Sequence, residues 1–310
     1  MALTVDFAFE GFRIIRQRPW LILFWGGILL LEHVASMVIL FYVSGPQLLD
    51  LIHQIPTLVS DPKTFKTFMQ YYGQLDPGIW LMMPIGLLVR AVVVCAIYRS
   101  VLDDSKAGFG FVRLGWPELR QVLMIIGFFF ITFATEMVCL LAGGIVGGIL
   151  GFLLNLLAKP LIVVGVVVGI FAGICVFLWI LLRLSLLYVQ SFDQNRFNFF
   201  GSWSLTKGYG LTLLVGYIIA FLMAMIVGIL CVCIFGIGAL AVFGGNIAAL
   251  AASFNVEKAS LLSILLNPLV ISYLLFTSLI VAPLTFTLVT GATAAAYKAL
   301  KGKTAVVSAG

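Results

Sequence analysis

Charge is scarce in this chain. Asp, Glu, Lys and Arg make up only 10% of its 310 residues, against roughly 25% in a soluble domain. Apolar residues reach 63%, more apolar surface than a water-soluble fold of this length can hide. Polar loops carrying cysteine are missing as well. Cys95, Cys139, Cys175, Cys231 and Cys233 all fall within apolar runs, which excludes a disulfide framework. Cys231 and Cys233 stand two apart, on different faces of a helix, which argues against a shared metal. They read as small buried hydrophobes. Catalytic signatures are also lacking: no HExxH pair, Walker loop, EF-hand, nucleophile elbow or paired-carboxylate motif occurs. The glycine-rich patches are apolar and lack the Lys-Ser/Thr that phosphate cradling needs. Nothing nominates a catalytic group, a metal or a cofactor, and the reading is of a protein that is not an enzyme.

What is there instead is long apolar runs. Six of them, at about 20–43, 79–102, 119–142, 161–190, 211–235 and 269–297, match the roughly 20 residues a helix needs to cross a bilayer. The fold class is therefore all-α, a single integral membrane domain over 1–310. The basic start, with the run LILFWGGILLL and Val34-Ala35-Ser36, has the look of a cleaved signal peptide. The apolar run resumes after His33 as VASMVILFYV, which favours a retained span.

Charge orients the bundle. The N-terminus, the 99–120 and 183–207 segments and the C-terminus hold 13 of the 18 Lys and Arg residues. The positive-inside rule then puts both termini in the cytoplasm. The net charge of +6 reads as this bias and as attraction to anionic lipid, not as a nucleic-acid signal. Aromatics flank the spans as interface anchors: Trp20, Trp80, Tyr98, Trp116, Trp203 and Tyr297. Residues 44–78, with PQLLDLIHQIPTL and FKTFMQYY, read as short amphipathic helices on the outer interface.

The chain reads as three hairpin repeats of roughly 100 residues, at about 1–105, 106–200 and 201–310. GFRIIRQRPWLILFWGG (11–27) parallels GSWSLTKGYGLTLLVGY (201–217), and LGWPELRQVLMIIGF (114–128) is a weaker copy. The returning spans open near Asp76-Pro77, Lys159-Pro160 and Asn267-Pro268, where proline suits the first helical turn and Asp or Asn caps it. AIYRSVL (96–102) matches AAYKAL (295–300) at two inner ends. Gly143, Gly147, Gly151 and Gly165, Gly169, Gly173 form two small-residue faces of glycine-zipper type, suited to close packing. A pore-lining or mobile helix is the alternative.

Glu32, His33, Arg90, Glu136 and Arg183 lie inside the spans, where a lone charge costs several kcal/mol. At 1.5 Å per residue, Glu32 lies about 18 Å past Trp20, and Arg90 about 14 Å before Arg99. A Glu32–Arg90 ion pair is the expected contact. It either fixes helix register or forms a proton or substrate site. His33 is adjacent and faces elsewhere. Glu136 and Arg183 are mismatched in depth by roughly 10 Å, so Arg183 is expected to snorkel or to meet lipid phosphate or water. In the last span, Ser272, Thr277, Ser278, Thr285, Thr287, Thr290 and Thr293 surround Pro283. Their hydroxyls suit a kinked packing helix or a broken helix beside a substrate.

At 183–217 the chain reads RLSLLYVQSFDQNRFNFFGSWSLTKGYGLTLLVGY. That stretch, with GFRIIRQRPW at the start, resembles the bacterial membrane domain associated with glycerophosphoryl diester phosphodiesterases and related six-span proteins. The resemblance implies a polytopic membrane module and no catalytic residues. The expected function is a non-enzymatic module that organises or binds lipid, or a membrane-protein partner or second copy. Its inner-leaflet contacts would come from Arg13, Arg16, Arg18, Arg113, Trp116, Arg120, Arg196, Trp203 and Lys207. The alternative is a transporter or channel for a small or lipidic solute, using Glu32 and Arg90.

Overall fold

The computed structural model describes residues 3–60, 69–70, 72–103, 108–156, 161–246 and 260–309. A 3-10 turn, Val5–Phe9, leads into α1 (Glu10–Gln17) and α2 (Trp20–Ser60). α3 (Asp76–Leu102), α4 (Trp116–Asn155), α5 (Leu161–Leu184), α6 (Leu187–Gln194) and α7 (Gly201–Leu205) follow. α8 (Gly210–Val242), α9 (Leu261–Leu265), α10 (Pro268–Phe276), a π-turn (Thr277–Val281) and α11 (Ala282–Ala309) complete the order. No strand occurs among the described residues. Six helical stretches there are long and apolar enough to cross a membrane: Trp20–His53, Pro77–Leu102, Phe109–Asn155, Leu161–Gln194, Gly210–Val242 and Pro268–Gly302.

Local sequence explains where these helices start and bend. Pro77, Pro117 and Pro268 sit in the first turns of α3, α4 and α10, where a missing N–H costs nothing. Asn267 caps α10, its Oδ1 accepting from the Leu269 amide at 2.9 Å. At Asp76-Pro77 the cap position falls on Leu75 instead and has no side-chain cap bond. Lys159-Pro160 lies outside the described residues.

Helices run past the expected ends. α2 continues from its span into residues 45–60 through a bend at Ser44 (φ −131, ψ 27). The first half of the expected outer amphipathic segment thus prolongs the same helix, and residues 61–68 and 71 lie outside the described ones. α4 reaches Asn155, well beyond the expected 142.

Consecutive spans pack in pairs: α2 with α3, α4 with α5, and α8 with α11. The α4–α5 pair has the most extensive contact. A Cβ at Gly147 would lie 2.9 Å from the Val166 carbonyl, and one at Gly151 2.6 Å from that of Ile162. Only a glycine face lets the two backbones come that close.

The core sits at one end. α2, α4 and α8 begin there, α3 and α11 finish there, and most Lys and Arg residues cluster there. Trp25, Ile97, Phe111, Leu186, Leu213 and Tyr297 are all buried at this basic end. Packing thins toward the far end. α8 buries Leu213, Gly216, Ala220 and Ala224, then nothing as far as Val242.

The N-terminal segment wedges between α8 and α11, while Arg13 and Arg16 stay exposed. Phe7 is buried, edge-on to Tyr217 at 5.9 Å. Gly11 lies so close to α11 that a Cβ would come within 2.5 Å of the Leu288 Cα. Phe7, Ala8 and Ile14 are buried, while Phe9 and Phe12 stay exposed.

Candidate functional site

The turn between α3 and α4 is strained. Phe109 (φ 48) and Phe111 (φ 63) occupy the left-handed region on either side of Gly110 (φ 66), which bulky residues rarely adopt. Packing compensates. Phe111 is fully buried, with the Arg18 guanidinium 5.3 Å from its ring. The bent backbone aims two carbonyls inward. Gly110 O accepts from Trp25 Nε1 at 3.0 Å, and Phe111 O from Arg99 Nη1 at 3.0 Å.

Arg99 is the centre of a buried polar cluster. Its Nη2 donates to Glu118 Oε1 in an ion pair whose side chains are 9% and 1% exposed. Its guanidinium also lies 5.4 Å from the Phe192 ring. Arg120, 2% exposed, donates to Asn195 Oδ1 at 3.1 Å. Gln121 donates to the Tyr188 carbonyl at 2.8 Å. Asp193 Oδ2 accepts from Tyr297 Oη at 2.7 Å and from Lys301 Nζ at 2.6 Å. These contacts tie together α3, α4, α6 and α11.

The cluster is incompletely satisfied. Glu118 Oε2, Arg120 Nε and Gln190 Oε1 are buried and have no hydrogen-bond partner. Such groups cost desolvation energy and call for a water, an ion or a ligand. Of these residues, Glu118 borders a cavity of about 570 Å³, which Arg99, Arg113, Phe192, Asp193 and Asn195 also line.

The mid-span charges are arranged differently from expectation. Glu32 is almost wholly buried, but its Oε1 accepts from Ser36 Oγ at 3.2 Å and its Oε2 lies 3.4 Å from His33 Nδ1. The same Nδ1 is 2.7 Å from the Leu29 carbonyl. Both neighbours of Nδ1 are acceptors, so that nitrogen carries the hydrogen. Glu32 does face α3, opposite Gly86, where a Cβ would lie 3.3 Å from its Oε1. Arg90 is exposed and makes no polar contact among the described residues. The expected Glu32–Arg90 pair is therefore not formed. Arg90 sits one turn along α3, about 6 Å from the level of the carboxylate.

Arg183 neither pairs with Glu136 nor projects freely. Its guanidinium lies 5.5 Å from the Trp179 ring and 5.3 Å from that of Trp203, and Nη1 donates to Thr206 Oγ1 at 3.4 Å. Its carbonyl accepts from Ser202 Oγ at 3.0 Å. Glu136 is exposed on α4.

Among the expected interface residues, Arg13, Arg16, Arg113, Trp116, Arg196 and Lys207 are exposed. Arg13 pairs with Glu10 at 2.8 Å. Arg196 donates to Gln194 Oε1 at 3.0 Å. Trp203 is edge-on to Trp179 at 5.2 Å. Arg120 is a correction: it is a core residue held by Asn195, because α4 turns it inward beside Glu118 and Gln121.

Sequence reasoning missed Arg99, Glu118, Gln121 and Asp193 as a set. The available signal was polar side chains inside otherwise apolar helix ends, in AIYRSVL and WPELRQ. Between α8 and α11 an apolar groove of about 750 Å³ opens, lined by Phe221, Met225, Gly228, Thr285 and Val289 among others. Among the described residues, no three His, Cys, Asp or Glu side chains gather as a metal site. Set against protein-family models, curated proteins and solved structures, the chain finds no match.

Proposed function

We propose that this chain is a non-enzymatic module of a bacterial inner membrane, both termini cytoplasmic, that binds lipid or a membrane-protein partner at its basic end. One observation carries the reading: a cavity of about 570 Å³, lined by Arg99, Arg113 and Glu118 of the polar cluster, lies at the end where the basic residues concentrate. That is the level at which headgroups lie when positive loops face the anionic leaflet. The exposed apolar walls of the far half suit acyl chains as neighbours.

We also read the three paired spans as copies of one unit, related to the membrane domain that the 183–217 motif resembles. Tyr98 and Tyr297, from the matching AIYRSVL and AAYKAL ends, are both buried in the same core. The next residue of each, Arg99 and Lys298, donates to a backbone carbonyl, of Phe111 and Val101 respectively.

The test is native mass spectrometry of the purified full chain after stringent detergent washing. Retained phospholipid or a co-purified membrane protein supports the reading; a bare chain overturns it. Membrane-impermeant labelling of a cysteine at residue 301 tests orientation. Labelling from outside intact cells would reverse it.

A transporter reading retains one supporting observation, the buried Glu32 beside His33 and Ser36. Fully buried Trp25, Val93 and Ala96 lie between that carboxylate and the basic-end cavity, which weighs against a wetted route. Flux through reconstituted vesicles that Glu32→Gln abolishes would favour the transporter.

A further inference from the structure

Arg183 ends α5 with hydrogen-bonding capacity to spare. It stands in the last turn of that helix, where C-terminal carbonyls favour a cation, and no carboxylate pairs with it among the described residues. Its guanidinium occupies the corner between two perpendicular indoles, Trp179 and Trp203. Its three nitrogens differ. Nε is buried, and Nη1 donates to Thr206 Oγ1. Nη2 reaches the surface and makes no hydrogen bond among the described residues.

The groups around that open edge are donors as well. The Trp203 indole N–H is accessible and unbonded among the described residues. Trp179 is 51% exposed, and Lys207 is exposed one residue beyond Thr206. The Thr206 hydroxyl spends its hydrogen on the Ser202 and Arg183 carbonyls. Arg, Lys and indole side chains accept no hydrogen bonds. Their complement is an anion with several oxygens, and the edge of a guanidinium fits phosphate. Leu178 and Trp179 face outward from an apolar span. Indoles settle at the headgroup boundary of a bilayer, the level of its phosphates. Neither Arg183 nor the two indoles line the 570 Å³ cavity.

We propose that Arg183, with Trp203 beside it, binds the phosphodiester of an inner-leaflet phospholipid. Nη2 and the indole N–H donate to phosphate oxygens, Lys207 adds attraction at longer range, and the acyl chains run along α5 past Trp179. The contact is to the phosphate, so the rest of the headgroup matters little. This rests on the lipid-binding reading and names a second point of contact, apart from the cavity.

The experiment offers the purified full chain, delipidated, three lipids of identical acyl chains: phosphatidylglycerol, phosphatidylcholine and diacylglycerol. Native mass spectrometry reads retention of each. The unmodified chain should retain both phospholipids about tenfold better than Arg183→Gln does, the discrimination expected of a hydrogen bond between charged groups. Diacylglycerol should not distinguish the two chains. Ser202 and Thr206 donate to the main-chain carbonyl of residue 183, and the substitution leaves those bonds in place. If Arg183→Gln does not fold, the unmodified chain decides. Its indole N–H resonances, from isotope-labelled tryptophan and assigned with Trp179→Phe and Trp203→Phe, are followed on adding short-chain phosphatidylglycerol. The Trp203 indole should shift, and an unmoved resonance overturns the inference.

Equal phospholipid retention by the two folded chains also overturns it, while leaving lipid binding at the basic end intact. Retention of no phospholipid by either chain overturns both. Inorganic phosphate that shifts the Trp203 indole as far as the lipid does, at equal concentration, overturns the assignment to the bilayer and gives the site to a soluble anion. Phosphate without effect supports the lipid.

Discussion

Replacing Glu118 with Ala would strand the Arg99 guanidinium in the basic-end core without its carboxylate. Removing one partner of a buried ion pair costs about 3–5 kcal/mol, so thermal unfolding in detergent should show a large loss. Arg90→Ala should leave stability unchanged within about 0.5 kcal/mol, because the side chain is exposed and unpaired among the described residues. A large loss for Arg90→Ala would mean that the mid-span pair forms in the membrane after all. Depth arithmetic brought Glu32 to the right level and the right neighbouring helix. It failed by one helical turn, and one turn decides whether a carboxylate meets an arginine or a glycine. Arg99 and Glu118 escaped notice for the opposite reason. Each stands near the end of an apolar run, where a charge looks like an ordinary interface residue, and only the strained Phe109–Phe111 turn folds both inward.

Helix pairing tests the element scale. Gly143, Gly147 and Gly151 meet the backbone of α5, whereas Gly144 and Gly148, on the neighbouring face, have nothing within 4 Å of where a Cβ would stand. Gly147→Leu should pry α4 from α5, while Gly148→Leu should be tolerated. Comparing their thermal unfolding in detergent isolates packing from glycine's general effect on helices. Equal effects would mean that the close approach contributes nothing. This interface was readable because four-residue spacing is a property of sequence alone. The π-turn at Thr277–Val281 was not. It packs against Gly26 of α2, where a Cβ would lie 2.7 Å from the Leu279 Cα, a contact between segments some 250 residues apart. The threonines around Pro283 gave half of it. Thr285 and Thr287 donate to the Val281 and Pro283 carbonyls at 2.9 Å and 2.6 Å, but which turn widens is set by the partner helix.

At the scale of the whole molecule, the N-terminal wedge is part of the packing of the third span pair, which also meets the first pair directly through α2, α3 and α11. The 3-10 turn and α1 both pack on α11, and the turn also packs on α8. Phe7 fills the space beside Gly216 and Tyr217. Tyr217 is held in turn by Ser185 at 3.1 Å. A surface-lying amphipathic helix would be dispensable for the bundle; a wedge is not. Phe7→Ala should therefore destabilise the chain by about 3–5 kcal/mol, as a core Phe→Ala does. Arg16→Ala, on the exposed face of the same segment, should change stability little. Deleting residues 1–17 should go further and uncover Leu213, Ala292 and Ala296, now buried. Thermal unfolding of the three variants separates the cases. A destabilised Phe7→Ala beside an unchanged Arg16→Ala means that the segment is built into the fold. Unchanged stability in all three would return it to the membrane surface, where its basic residues would act on lipid alone.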